Sequence, residues 1–123
     1  MHEVKTKSML GGRATGISVK WEGGQFCMIA TDKGLVGCGI FNIDVFEEFK
    51  MAGALAKGTP KKPLKEPEDL LPAKIVMVSS QAAKLGIKKG MTGKQALQKF
   101  IKASCQEKSK EGCKKIRKQS QGP

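Results

Sequence analysis

The sequence predicts a two-layer α+β domain: a mainly antiparallel sheet of about five strands with three or four short helices packed on it. Three observations lead there. Turns at Gly11-Gly12, Glu22-Gly23-Gly24 and Asp32-Lys33-Gly34 cut residues 2–41 into strand-length pieces about ten residues apart. Capping boxes and glycine or proline stops bracket short helical segments in the rest of the chain. With 123 residues, 39% apolar and 5% aromatic, the chain is sized for one domain. Collagen-like, mucin-like and multidomain architectures are excluded, and the dense apolar runs argue against wholesale disorder.

Taken in order, Ile17, Val19 and Trp21 alternate with Ser18 and Lys20, which marks a half-buried strand. Residues 25–31 and 35–41 are apolar on both faces, so a helix layer, a second sheet or another subunit is expected to cover each side. Residues 43–55 read as a helix, with Asp44 as N-cap, Glu47 completing a capping box, and Val45, Phe46, Phe49 and Ala52 as its apolar stripe. Pro60, Pro63 and Pro67 make 57–67 a loop, and Pro67 opens a short helical turn through Leu71. Residues 73–79 form a strand through Ile75, Val76, Met77 and Val78. A short helix over 80–85 ends at Gly86, where a left-handed cap is wanted. Thr92 and Gln95 form a capping box that opens a helix burying Leu97, Phe100 and Ile101. After Cys105 the apolar spacing fails, so residues 1–105 form the domain and 106–123 a basic tail, disordered or a frayed helical extension.

The formal net charge is +12, from 23 basic and 11 acidic side chains. Residues 84–123 hold twelve of the basic and only two of the acidic residues, and so carry +10. Such a segment suits nucleic acid or another polyanion as partner; the alternative is a solvated helix face with a tail that only aids solubility. With one Trp, no Tyr and every Phe inside an apolar pattern, no stacking platform for single strands is apparent. The first residues lack the apolar segment of a signal peptide and no apolar run is long enough to span a bilayer. A cytoplasmic protein without membrane insertion is expected, with reduced thiols at Cys27, Cys38, Cys105 and Cys113. A single histidine and no Cys-x2-Cys pair leave no metal site, and no cofactor motif is present.

Three stretches in this order carry a family resemblance: Thr31-Asp32-Lys33-Gly34-Leu35-Val36-Gly37-Cys38-Gly39, then Glu68-Asp69-Leu70-Leu71, then residues 83–97 from Ala83-Lys84-Leu85-Gly86 to Gln95-Ala96-Leu97. Together they resemble the YunC-like domain-of-unknown-function proteins of bacteria and archaea over about residues 9–101. The resemblance implies a small α/β domain with helices on a mainly antiparallel sheet, and no particular activity. The lysine- and proline-rich loop at 57–67 and the basic segment after 102 depart from that family's pattern.

Cys38 is the candidate thiol. As a nucleophile or redox group it would need Lys33 or the start of the 44–55 helix to lower its pKa; otherwise it is a small buried hydrophobe between Val36 and Ile40. Gly37 and Gly39 leave bare backbone on the opposite face, a mark of close approach by a ligand, helix or subunit. A two-residue turn at Asp32-Lys33 would pair Cys27 with Cys38, whereas a turn with Gly34 as a left-handed bulge would pair Met28 with Cys38. Asp-Lys-Gly suits the bulged turn, so the second register is expected. Thr92, Gly93 and Lys94, which offer free N–H groups, are candidates for a generic anion site together with Lys88, Lys89, Lys114, Lys115, Arg117 and Lys118; the alternative is an ordinary capped helix start. The functional expectation is a non-enzymatic binding or assembly domain that self-associates and meets an anionic partner through its C-terminal third. The alternative is a thiol-dependent enzyme or redox protein built on Cys38.

Overall fold

The computed structural model describes residues 2–58 and 64–115, with side chains as far as Ser104. Six strands form one sheet in chain order: β1 (His2–Met9), β2 (Ala14–Trp21), β3 (Gly24–Ala30), β4 (Leu35–Gly37), β5 (Gly53–Ala56) and β6 (Ile75–Val78). All neighbours are antiparallel except β4 and β5, which run parallel. The helices are α1 (Ile43–Glu48), α2 (Ser80–Lys84) and α3 (Gly93–Lys115), with 3-10 turns at Leu10–Gly12 and Pro67–Leu70. The fold class is the expected α+β sheet-and-helix arrangement.

The β3–β4 turn differs from the bulged form. Thr31 N donates to Gly34 O at 2.8 Å, which closes a two-residue turn over Asp32 and Lys33. The Thr31 hydroxyl accepts the N–H groups of Lys33 and Gly34 at 3.3 and 3.1 Å and so holds the turn from within. Gly34 is there for space: a Cβ would lie 2.5 Å from the Phe100 ring and 2.8 Å from Ala52 O. The register therefore runs Met28 to Gly37 and Ile29 to Val36, and Cys38 N donates to Cys27 O at 3.2 Å. Cys27, not Met28, faces Cys38.

The 43–55 helix is also shorter than expected. Its N-cap is Asn42, whose side chain accepts from Asp44 N at 2.9 Å. It stops at Glu48, and Lys50 turns left-handed at φ 56°. The chain then enters β5, all four residues of which are buried. Gly53 admits the Phe46 ring, which would lie 2.2 Å from a Cβ there. Ser79, itself fully buried, ties this turn to α2. It accepts from Gly53 N at 3.0 Å and from Ala82 N at 3.3 Å, and donates to Met51 O at 2.8 Å. Glu47 caps α2 rather than its own helix, accepting from Ser80 N at 3.0 Å and Ser80 Oγ at 2.9 Å.

Alternation divides the sheet into two faces. The covered face holds Cys27, Ile29, Val36, Cys38, Ala54 and Ala56, packed with Leu70, Ala82, Ile87, Ala96, Leu97 and Phe100. On β2 the buried side is the small one: Ala14, Gly16 and Ser18. A Cβ on Gly16 would meet Met9 at 2.6 Å and Pro67 at 2.7 Å, so only small residues fit there. Ile17, Val19 and Trp21 face the other way.

Candidate functional site

The other face of β1–β4 presents His2, Val4, Thr6 and Ser8, then Thr15, Ile17, Val19 and Trp21, then Phe26, Met28 and Leu35 with small residues between them. It carries no Lys, Arg, Asp or Glu in a chain that is 28% charged. α1 packs on this side over β5, and no other described helix covers it. Val4 is 59% and Trp21 42% exposed. Trp21, Phe26 and Phe41 form an aromatic row, with ring centroids 6.2 and 5.7 Å apart. The bare backbone of Gly37 is filled by the Phe41 ring, which would lie 2.6 Å from a Cβ. Gly39 lies beyond the strand, against Ala56 O and Lys57.

The described lysines of the basic third up to Lys102 belong to α2, α3 and the turn between them, on the side of the sheet that α3 covers. Lys84, Lys88, Lys89, Lys94, Lys99 and Lys102 are exposed. Packing brings α3 to the end of α2, so the Lys99 ammonium lies against Gly86. The capping box forms as expected: Thr92 N donates to Gln95 Oε1 at 2.9 Å and Gln95 N to Thr92 Oγ1 at 3.2 Å. The N–H groups expected to be free at this helix start are not. Gly93 N donates to Ala73 O at 2.9 Å and Lys94 N to Leu71 O at 3.0 Å. Gly93 is required because a Cβ would lie 2.0 Å from Leu70 O. Lys94 thus contributes its ammonium but no backbone donor. Lys114 and Lys115 lie in the last turn of α3; Arg117 and Lys118 fall outside the described residues.

The thiols occupy the covered face. Cys27 is fully buried and Cys38 is 6% exposed. Both are free thiols. Cys27 hydrogen-bonds the Cys38 sulfur, and the main-chain N–H of Ile40 adds to this, so the Cys38 thiol is drawn down to about 6 despite its burial. The same hydrogen bond, with burial, pushes Cys27 up. Lys33 and the start of α1, the groups expected to act on Cys38, are not the cause. Asp32 and Lys33 instead serve the turn, where Asp32 receives the Ser104 hydroxyl at 3.5 Å. Among the described residues no group of three His, Cys, Asp or Glu side chains is placed to hold a metal.

Sequence reasoning missed a cleft of about 490 Å³ between β1–β2 and the Pro67–Leu70 turn. Of its charged lining, Lys7 pairs with Glu68, while Glu66 pairs with Lys20 outside the cleft. The partners are far apart in sequence, so no local motif signals them. Among the described residues no helix is long and apolar enough to cross a membrane.

The molecule is thus a small α+β protein with an uncharged open sheet face, a basic C-terminal third and a buried facing pair of thiols. The family model described as "Domain of unknown function (DUF1805)" matches residues 37–100, and the chain belongs to that family. It is 31% identical over 98 residues to the "Uncharacterized protein YunC" of Bacillus subtilis (strain 168), a match covering 79% of this chain and 96% of that protein. Its fold is similar to the crystal structure of a protein of unknown function, TA1206 from Thermoplasma acidophilum. That match has a TM-score of 0.68 at 23% identity and covers 81% of this chain and 93% of the other. Residues 101–123 lie beyond the family match.

Proposed function

We propose that the chain is a non-enzymatic assembly domain: a second copy covers the open face of β1–β4, and the basic C-terminal third engages a polyanion. The observation that carries this reading is the placement of the large side chains of β2, which point away from the core into a face without a formal charge. Leaving such a face in water forgoes roughly 25 cal/mol for each Å² of apolar surface that a partner would bury. Charge favours a second copy in this position. At +12 per chain, most other contacts would bring lysines together, whereas this face opposes none. Two sheets packed face to face would sit about 10 Å apart, a spacing that large apolar side chains fill.

Sedimentation equilibrium of the full chain tests the assembly, beside a Val4→Lys/Trp21→Lys variant. Both positions are exposed in the single chain, so the fold survives the change. The expected result is a dimer or larger species that the variant reduces to monomer. A wild-type monomer at high protein concentration overturns the reading. For the polyanion, binding to mixed RNA and DNA is followed across a salt series, with and without residues 106–123. A steep loss of affinity with salt that flattens on deletion supports the basic arm; no binding at low salt removes it.

A further inference from the structure

We infer that Cys27 and Cys38 form a thiol–disulfide exchange site, which low-molecular-mass disulfides oxidise in a fixed order, Cys38 first and Cys27 second. The inference rests on register and burial, and it holds whether or not a second copy covers the other face. Cys38 N donates to Cys27 O at 3.2 Å, and the Met28–Gly37 register carries the two residues opposite each other just past the end of the ladder. Such pairs hold their Cα atoms about 5.5 Å apart, inside the range that a disulfide spans. Side chains of directly opposed residues share a face, and both thiols lie in the covered layer. The downward shift of Cys38 has the facing Cys27 thiol as its first cause, in keeping with that placement.

Order follows from access. Cys27 is sealed, whereas Cys38 keeps a small opening at the end of β4. There Gly39, with no side chain, passes over Ala56 and the exposed Lys57. The Cys38 thiolate attacks one sulfur of a disulfide R–S–S–R, forming Cys38–S–S–R and expelling RS⁻. The Cys27 sulfur then attacks Cys38 Sγ, and its proton passes to the departing R–S group, which leaves as RSH. The S–S bond to the adduct breaks and the Cys27–Cys38 disulfide forms. The protein loses two electrons and two protons, and R–S–S–R is reduced to two thiols.

The test uses the full chain with Cys105→Ser and Cys113→Ser, so that only this pair remains to react. The native protein is incubated with oxidised glutathione, quenched in acid and mapped by mass spectrometry. The expected product has lost both thiols and links the Cys27 and Cys38 peptides. A further Cys27→Ser change is expected to arrest the reaction at a glutathionyl adduct on Cys38, and Cys38→Ser to leave Cys27 unmodified. Both thiols surviving in the native protein while reacting in denaturant overturns the inference. So does a glutathionyl adduct on Cys27 when Cys38 is absent. The linked peptide in the parent protein decides the matter even where a serine variant fails to fold.

Discussion

Cys38 accepts a hydrogen bond from its neighbour's S–H and another from the Ile40 amide, and both favour sulfur with its negative charge. The other ionisable groups acting on the pair are Glu66 and Asp69, which reach Cys27. The sign is that of an acid made stronger. With its thiol drawn down to about 6, Cys38 is expected to ionise at a lower pH than an ordinary thiol. Alkylation by iodoacetamide is therefore expected to rise through a midpoint near that pH, well below the ordinary thiol value, with Cys27 unreactive throughout. A midpoint at the ordinary value would show that the facing thiol does not stabilise the charge. Ser79 offers a second test at this scale. Ser79→Ala removes the acceptor of the Gly53 and Ala82 amides inside the core. A loss of about 1–3 kcal/mol is expected in urea unfolding.

Among the elements, α3 begins where Gly93 passes the carbonyl of Leu70, so Gly93→Ala must push the helix from the Pro67–Leu70 turn. It is expected to cost about 1–3 kcal/mol and to lower the melting temperature. Glu47→Gln, by contrast, keeps an acceptor for Ser80 and is expected to change stability by less than Glu47→Ala. The difference in urea midpoint between the two variants reads the cap. Most elements were legible in the sequence because their ends carry local chemistry: Gly23, Gly86 and Gly90 all take positive φ, and Thr92 and Gln95 cap α3 as their spacing implies. β5 was not legible. Gly-Ala-Leu-Ala has no β-branched residue, and alanine and leucine favour helix. What makes it a strand is non-local: the Phe46 ring over Gly53 and Ser79 bonded to its first amide. The facing thiols were hidden for a related reason. Gly34 looked like a left-handed turn residue, but its lack of a side chain serves Phe100, more than sixty positions away.

For the molecule as a whole, salt acts on the two proposed contacts with opposite sign. Two copies at +12 repel, and added salt screens that repulsion while leaving apolar burial intact. The dimer is therefore expected to strengthen between low and moderate salt, as RNA binding weakens over the same range. Sedimentation and filter binding in matched buffers check both. Parallel weakening of the two would place charged groups in the contact between copies. The candidate surfaces were only half legible beforehand. Charge asymmetry showed the basic third directly. The open face needed the structure, since alternation in β2 marks two faces without saying which one meets the helices.

The sheet order repeats the chain order from β1 to β6, and α3 comes last. During synthesis the strands leave the ribosome in the sequence in which they pair, and each needs only its predecessor to begin. The layer over the sheet is completed late, however, by Leu97 and Phe100 of α3, which follows all six strands in the chain. Until those residues emerge, the nascent sheet has two wet apolar sides instead of one. A nascent chain lacking α3 would thus leave Val36 of β4 open to water, and arrival of the helix would close the core in a single late step.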